Sequence, residues 1–148
     1  MAPRSKSVLP KTRSPEEWEA FFRCIATRCP TAARNHALLY LTDLTGLRIG
    51  EALALRERDV DLDLLRVHVT RGKTGERIVP LPDDARLARS IERWLQFRQS
   101  WLASDLLFIT RSGEPIRSSA VRRSMALYGT RSGIGHVTTP HASPLGSN

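Results

Sequence analysis

The stretch Thr45-Gly46-Leu47-Arg48-Ile49-Gly50-Glu51-Ala52-Leu53-Ala54-Leu55 says most about the fold and function of this chain. Gly46 is a turn residue, and Arg48 follows it at the start of a helix with apolar periodicity. Such a position points a guanidinium out of a rigid element, and a guanidinium can bind phosphate through two hydrogen bonds. Glu51, three residues later, is expected on the same helical face, where it can hold the arginine rotamer. By itself, the stretch is explained equally well by an ordinary amphipathic helix with one solvated ion pair.

Helix signals lie on both sides of this stretch. Ser14-Pro15-Glu16-Glu17 has the pattern of a capping box with proline at the first helical position. Pro30-Thr31 interrupts the chain, and Thr31 is expected to cap a second helix that Gly46 ends. The helix that starts at Arg48 is expected to run to about Arg56.

The middle of the chain predicts a β-hairpin. Apolar and polar residues alternate over positions 65–70, which indicates a half-buried strand. A turn containing Gly72 and Gly75 leads into Arg77-Ile78-Val79-Pro80-Leu81, the second strand. Pro80 places the end of that strand at a sheet edge or outside the sheet.

Two further helices are predicted downstream. Pro82-Asp83-Asp84 opens a long helix, with Arg98 expected to reach from its inner side to solvent. Residues 106–109 form an expected short strand, and a turn at 111–115 follows. Ser118 or Ser119 caps the last helix, and the chain is loop-like from residue 129. The predicted fold class is α+β: mostly helical, with a small antiparallel sheet.

The charge balance favours a polyanionic partner. The 148-residue chain carries 23 Lys and Arg against 15 Asp and Glu, a net charge of +8, and its pI is about 10.7. Nucleic acid is the usual partner of such a protein. Because only 6% of the residues are aromatic, contact with backbone phosphates is favoured over base stacking.

Other classes of protein lack support in the sequence. No apolar run approaches the ~20 residues that span a bilayer. Residues 1–13 form a basic, proline-spotted arm without a signal-peptide pattern, which is a linker remnant or an ordinary frayed terminus. Cys24 and Cys29 are expected to be reduced thiols of a cytoplasmic protein. The histidines and cysteines lack metal-ligand spacing, so no structural zinc is predicted.

Two later segments add to the Arg48 stretch: Arg71-Gly72-Lys73-Thr74-Gly75-Glu76-Arg77 and Val137-Thr138-Thr139-Pro140-His141. In this order, the three segments resemble the catalytic domain of tyrosine recombinases, the phage-integrase family. The resemblance covers about residues 14–141 and implies the recombinase catalytic fold. It also implies cleavage and rejoining of DNA strands without a cofactor, through attack of a tyrosine on a phosphodiester.

The resemblance assigns roles to individual residues. Arg48 corresponds to the first family arginine, which contacts the scissile phosphate, and Glu51 would orient it. Lys73 corresponds to the hairpin lysine that serves as general acid, although a plain surface lysine on a turn is the alternative. Gly72-Lys73-Thr74 is not a nucleotide-binding P-loop, since Val67 stands where that motif needs glycine. His141 corresponds to the family histidine.

The resemblance then departs from the family pattern. The family motif continues from the histidine with arginine three residues later, and Pro144 stands at that position. Tyr40 and Tyr128 are expected to be core residues, and neither matches the family position of the nucleophile, so the tyrosine nucleophile is expected to be absent. His141 is therefore expected to be an exposed loop histidine, and residues 142–148 to be a tail unlike the family. The sequence predicts an incomplete catalytic-type domain, inactive by itself.

Further arginines are candidates for a DNA-facing surface, and each is explained equally well as solvated surface: Arg71, Arg77, Arg122 and Arg123. The expected partners are double-stranded DNA and other recombinase subunits, with neither a membrane nor a small-molecule substrate. The expected location is the cytoplasm, in association with the nucleoid. An alternative function is a non-catalytic DNA-binding regulator or competitor at recombination sites.

Overall fold

A computed structural model describes residues 14–70, 75–101 and 103–134. In these ranges the chain forms α-helices joined to a small sheet, which confirms the predicted α+β class. The elements, in chain order, are α1 (Pro15–Arg23), α2 (Pro30–Thr45), α3 (Ile49–Leu53), a 3₁₀ turn (Glu57–Asp59), β1 (Val60–Asp61), β2 (Arg66–Val69), β3 (Arg77–Pro80), α4 (Ala85–Arg98) and α5 (Ser118–Arg131).

The first two helices begin and end at local signals. Ser14 Oγ accepts from the Glu17 amide at 3.1 Å, and Glu17 Oε1 accepts from the Ser14 amide at 2.9 Å, which confirms the capping box. The prediction that Thr31 caps α2 was wrong. Cys29 is the cap, because Pro30 takes the first helical position, where its fixed φ fits and its missing N–H costs nothing. Gly46 ends α2 with a φ of 77°, as predicted.

Helix α3 is shorter than predicted. It ends at Leu53 instead of running to Arg56, because a new turn starts there. Asp59 Oδ2 accepts from the Arg56 amide at 2.9 Å, and this side-chain cap begins the 3₁₀ turn. The carbonyl of Leu55 is meanwhile taken by the amide of Leu107 at 2.9 Å, so it is not part of a continuing helix.

The sheet is antiparallel with strand order β1-β2-β3. Val67 and Val69 are buried, which confirms the predicted half-buried strand and its hairpin. Strand β3 is an edge strand and ends at Pro80, as expected. Two details were not predicted: strand β1, and the exclusion of Leu65 from β2. Leu65 has a φ of 55° and lies in the turn between β1 and β2.

Three predictions for the second half need correction. Arg98 does not reach into solvent: its side chain is 12% exposed and donates to the carbonyls of Ser104 and Leu106 and to Glu57. Residues 106–109 form isolated bridges at their two ends rather than a strand, since each end pairs with a different segment. Neither serine caps α5, because Arg117 is its cap residue, and the helix continues past residue 129 to Arg131.

The core surrounds α2, which packs against α4 and carries a continuous series of buried side chains. The largest fully buried side chains include Trp94, Phe21 and Phe108, and Trp94 Nε1 donates to the Leu107 carbonyl at 2.8 Å. Thr45 is the last residue of this helix, and Leu47 and the start of α3 follow directly after it. The Arg48 segment is thus attached to the most deeply buried part of the domain.

A polar network fixes α5 to α2. The buried Arg34 guanidinium donates to Asn35 Oδ1 and to the Ile109 carbonyl, and Asn35 Nδ2 donates to the Tyr128 hydroxyl at 3.1 Å. Burial lowers the pKa of Arg34. Because buried polar groups need partners, this network specifies how α5 sits on α2.

Candidate functional site

Arg48 lies at the mouth of α3 with its side chain exposed to solvent. It is the N-cap residue, with φ −74° and ψ 152°, and its neighbours Leu47 and Ile49 are both buried. These two apolar anchors fix the backbone on either side and leave the arginine pointing outward. Among the described residues, no hydrogen bond or ion pair engages its guanidinium.

Glu51 supports this segment through a contact different from the predicted one. Its Oε1 accepts from the backbone amide of Arg48 at 3.1 Å, while both carboxylate oxygens accept from the guanidinium of Arg77. Among the described residues no hydrogen bond joins Glu51 to the Arg48 side chain, because both carboxylate oxygens accept from Arg77 and from the Arg48 amide. The charge of Arg48 still lowers the pKa of Glu51, and the role of Glu51 in orienting Arg48 stays a prediction. Glu51 therefore fixes the backbone of Arg48 and leaves its guanidinium free of hydrogen bonds from the described residues.

The Glu51–Arg77 pair is bidentate and partly shielded from water. The Nη1–Oε2 and Nη2–Oε1 distances are 3.0 and 3.1 Å, and the side chains are 11% exposed for Glu51 and 34% for Arg77. Burial would raise the pKa of the Glu51 carboxyl, but hydrogen bonds from Arg77 and the Arg48 amide outweigh it and lower the pKa below its ordinary value. The same pair raises the pKa of Arg77. Both groups are therefore charged at neutral pH.

Arg77 is the first residue of β3, so the ion pair links the hairpin to α3. This pairing was missed in the sequence, where nothing marks two residues 26 positions apart as partners. Two other predicted site residues, Arg71 and Lys73, lie outside the described residues. Contact of Arg77 with DNA stays a prediction, although two of its donor nitrogens are bonded to Glu51.

The remaining candidates lie on α5 or beyond it. Helix α5 packs against α3. Arg122 is half-buried and Arg123 exposed on that helix, and consecutive helical residues point about 100° apart. His141 and Pro144 lie outside the described residues, so the role of His141 stays a prediction.

Both tyrosines of the chain are core residues, as predicted. Tyr40 is 8% exposed and Tyr128 6%. The Tyr128 hydroxyl accepts from Asn35, and the Tyr40 ring packs edge-on against Phe22 at a centroid distance of 5.0 Å. Burial, followed by the charge of Asp84, raises the pKa of Tyr40.

Comparison with known proteins identifies the family. The family model described as "Phage integrase family" matches residues 13–143. The chain belongs to the phage integrase family. This match includes the Arg48 stretch, the hairpin and the His141 segment, the same segments that carry the resemblance in the sequence. In the described part of this integrase-family chain, no helix is long and apolar enough to cross a membrane.

Named relatives are recombinases and a regulator. The tyrosine recombinase XerC of Staphylococcus epidermidis is 31% identical over 122 residues, covering 81% of this chain and 40% of the relative. The type 1 fimbriae regulatory protein FimE of Escherichia coli K12 is 36% identical over 115 residues, covering 75% and 57%. The chain thus spans about half the length of the curated relatives it matches.

Solved structures share the fold. The crystal structure of the XerA recombinase superposes with a TM-score of 0.74 at 26% identity, covering 90% of this chain and 47% of that one. The XerH recombinase bound to its palindromic difH substrate gives a TM-score of 0.71 at 24% identity, covering 91% and 38%. These likenesses agree with the tyrosine-recombinase catalytic fold predicted from the sequence.

Proposed function

We propose that this chain is the DNA-binding, catalytic-type domain of a tyrosine site-specific recombinase, and that Arg48 binds a backbone phosphate of double-stranded DNA. One observation carries the proposal: Arg48 is exposed at a rigidly anchored helix start, and its guanidinium has no hydrogen-bonding partner among the described residues. The net charge of +8 and the family membership support it. A guanidinium presented in this way can bind two phosphate oxygens at once.

The chemistry of the family assigns different work to arginine and lysine. Arg48 would stabilise the charge that develops on the phosphate during strand cleavage. Lys73 would protonate the leaving oxygen, which arginine is too basic to do. Of the 23 basic residues only Lys6, Lys11 and Lys73 are lysines, so beyond the N-terminal arm lysine occurs at the hairpin alone. In a chain that otherwise uses arginine, this exception supports a proton-transfer role for Lys73.

We do not expect the 148-residue polypeptide to cleave DNA by itself. The chain has two tyrosines, both buried, and Pro144 stands at the position of the second family arginine. We also propose that His141 occupies the position of the family histidine, which contacts the phosphate. We further propose other recombinase subunits as partners and a cytoplasmic, nucleoid-associated location for this activity.

The second candidate is a non-catalytic DNA-binding regulator or competitor at recombination sites. The packing of both tyrosines in the core favours it, because a tyrosine held in the core is not presented to a DNA phosphate. One relative, FimE, is named as a regulatory protein. The two candidates differ in whether a bound duplex is ever cut, and the binding of the regulator should be salt-sensitive and survive Arg48→Ala.

The proposal predicts a specific loss on substitution of Arg48. Arg48→Ala should weaken binding to a fluorescein-labelled 30-base-pair duplex about 10-fold and reduce the salt-dependence slope by about 1, as expected for one lost phosphate contact. Arg48→Lys keeps the charge, so it should keep the slope while losing part of the affinity. Fluorescence anisotropy between 50 and 200 mM salt measures both.

Arg86→Gln is the matched control. Arg86 is an exposed arginine that is paired with Glu19 at 3.0 Å, so its loss removes the same charge and an ion pair elsewhere on the chain. It should leave the slope unchanged. Unaltered binding by Arg48→Ala would contradict the role of Arg48, and an absence of salt-sensitive binding by the wild-type chain would contradict the proposed function.

A further inference from the structure

We propose that Arg77 is a positioning residue for Arg48 and not a DNA contact: by occupying the carboxylate of Glu51, it keeps the Arg48 guanidinium unpaired and available for phosphate. The DNA-binding part of this inference rests on the proposed function. The pairing part concerns the free protein and can be tested without DNA.

The geometry of Glu51 is the first step. Oε2 accepts from Arg77 Nη1, and Oε1 accepts both from Arg77 Nη2 and from the Arg48 backbone amide. Both oxygens are therefore engaged. The charge of Arg48 acts on the Glu51 carboxyl and lowers its pKa, so the two groups are close enough to interact. Arg48 is nevertheless unpaired among the described residues, because a competing guanidinium already holds the carboxylate in the favoured fork geometry.

The Glu51 side chain is largely buried, which makes its pair with Arg77 costly to break. The Glu51 side chain is 11% exposed, so breaking its pair with Arg77 would leave a shielded charge without its counter-ion. Such a loss costs several times the value of an exposed ion pair. A DNA phosphate that bound Arg77 would leave the Glu51 carboxylate without its counter-ion and would also lie close to that negative charge. Arg48 carries no such cost, so it is the cation that a phosphate would engage.

The Arg77–Glu51 pair also affects the electrostatic field that a phosphate would meet at Arg48. With Arg77 in place the Glu51 charge is neutralised locally, and the positive charge of Arg48 is not cancelled by the carboxylate beside it. Among the described residues, Arg48 is the other cation whose charge acts on Glu51. Arg77 thus determines whether Arg48 faces a phosphate or turns to the protein, although it need not touch DNA itself.

The first test uses NMR on the free protein. In wild type, the Arg48 amide should report the titration of Glu51, and the Arg48 side-chain Nε–H should exchange rapidly with water. In Arg77→Gln the amide's titration midpoint should move upward, and the Arg48 Nε–H should become protected as the arginine pairs with Glu51. An unchanged midpoint and an unprotected Nε–H would overturn the proposal, whatever the outcome with DNA.

The second test measures DNA binding across a set of variants. Arg77→Gln should lose about 10-fold in affinity and about 1 in salt slope, like Arg48→Ala. Arg48→Ala should then cost little more in the Arg77→Gln background. In Glu51→Gln/Arg77→Gln, no carboxylate remains to capture Arg48, so affinity and slope should return to near the wild-type values.

A direct phosphate contact by Arg77 predicts a different pattern. The slope would stay reduced in the double variant, and Arg48→Ala would cost its full amount in every background; either result overturns the proposal. Arg77→Lys serves as a second variant if Arg77→Gln folds poorly, and it should fall between wild type and Arg77→Gln. If wild type fails to bind DNA while the NMR changes occur, the pairing stands and the proposed function fails.

Discussion

His36 shows how a single side chain is tuned by its place in the core. It lies half-buried on α2, with its ring centroid 5.3 Å from that of Phe22 and 5.6 Å from that of Tyr40, and its Nδ1 is 2.6 Å from Ser90 Oγ. Burial and then the charge of Arg93 lower the pKa of His36 to about 4. The ring is therefore neutral in the folded protein at neutral pH.

This shift predicts a pH-dependent stability. In the unfolded chain His36 binds a proton below about pH 6.5, whereas in the folded chain it stays neutral down to about pH 4. The free energy of unfolding therefore falls as the pH decreases between these two values. From pH 7 to pH 5 the His36 contribution should be about 1 to 2 kcal/mol, measured by urea unfolding. His36→Asn, whose amide can still reach Ser90, should show a smaller decrease over the same interval. An equal decrease in both proteins would contradict the assignment.

The site residues differ in how far the sequence could predict them. The exposure of Arg48 follows from its neighbours, because Leu47 and Ile49 are apolar and must be buried on both sides. The Arg77–Glu51 pair could not be predicted, since its members are 26 positions apart and meet only when the hairpin packs beside α3. Local pattern thus predicted which arginine is presented, and long-range packing determined which residue binds the carboxylate beside it.

At the scale of elements, Gly46 separates the buried helix α2 from the segment that presents Arg48. Its φ of 77° lies in the left-handed region, whereas Gly50 in α3 does not adopt positive φ, and a Cβ there would meet nothing within 4 Å. Gly46 therefore adopts a conformation that favours glycine, whereas the conformation of Gly50 is open to other residues.

This contrast predicts opposite effects of the same substitution. Gly46→Ala should destabilise the protein by about 1 kcal/mol, since alanine pays for the left-handed conformation. Gly50→Ala should be neutral or stabilise by up to about 1 kcal/mol, because alanine favours helix. Urea midpoints with unchanged m values would measure both effects. Equal loss in the two variants would show that the strain at Gly46 does not decide the turn.

Elements with local signals were predicted well, and those defined by distant partners were not. The Ser14 capping box, the Gly46 terminus and the Val67–Val69 alternation each act within a few residues, and each is found in the structure. Residues 106–109 have the composition of a strand, but each end pairs with a different segment. Strand β1 has two residues and exists only because β2 lies beside it, so no periodicity could reveal it.

At the scale of the whole molecule, the positive charge is distributed over the surface rather than concentrated in a tail. Several described arginines are neutralised within the fold, as Arg77, Arg86 and Arg98 are by glutamates. The count of 23 basic residues therefore overstates how many cations can face a polyanion, and the arginines without a carboxylate partner determine the surface. A salt-dependence slope measures this number directly, because it counts released counter-ions rather than formal charges.

At the same scale, we expect the chain to bind DNA without forming a covalent bond to it. Forming a phosphotyrosyl bond needs an exposed hydroxyl, and both tyrosines are packed in the core, with Tyr128 tied to Asn35 and, through it, to the buried Arg34. Exposing Tyr128 would break this network and uncover the face of α5 that packs against α1 and α3, which is a global rather than a local event. The 148-residue chain should therefore give no SDS-resistant band with a nicked suicide duplex, at concentrations where anisotropy shows that the duplex is bound. A tyrosine recombinase acting on its own nicked site would be the positive control. A covalent band that disappears in Tyr40→Phe or Tyr128→Phe would contradict the prediction and identify a nucleophile that the folded core conceals.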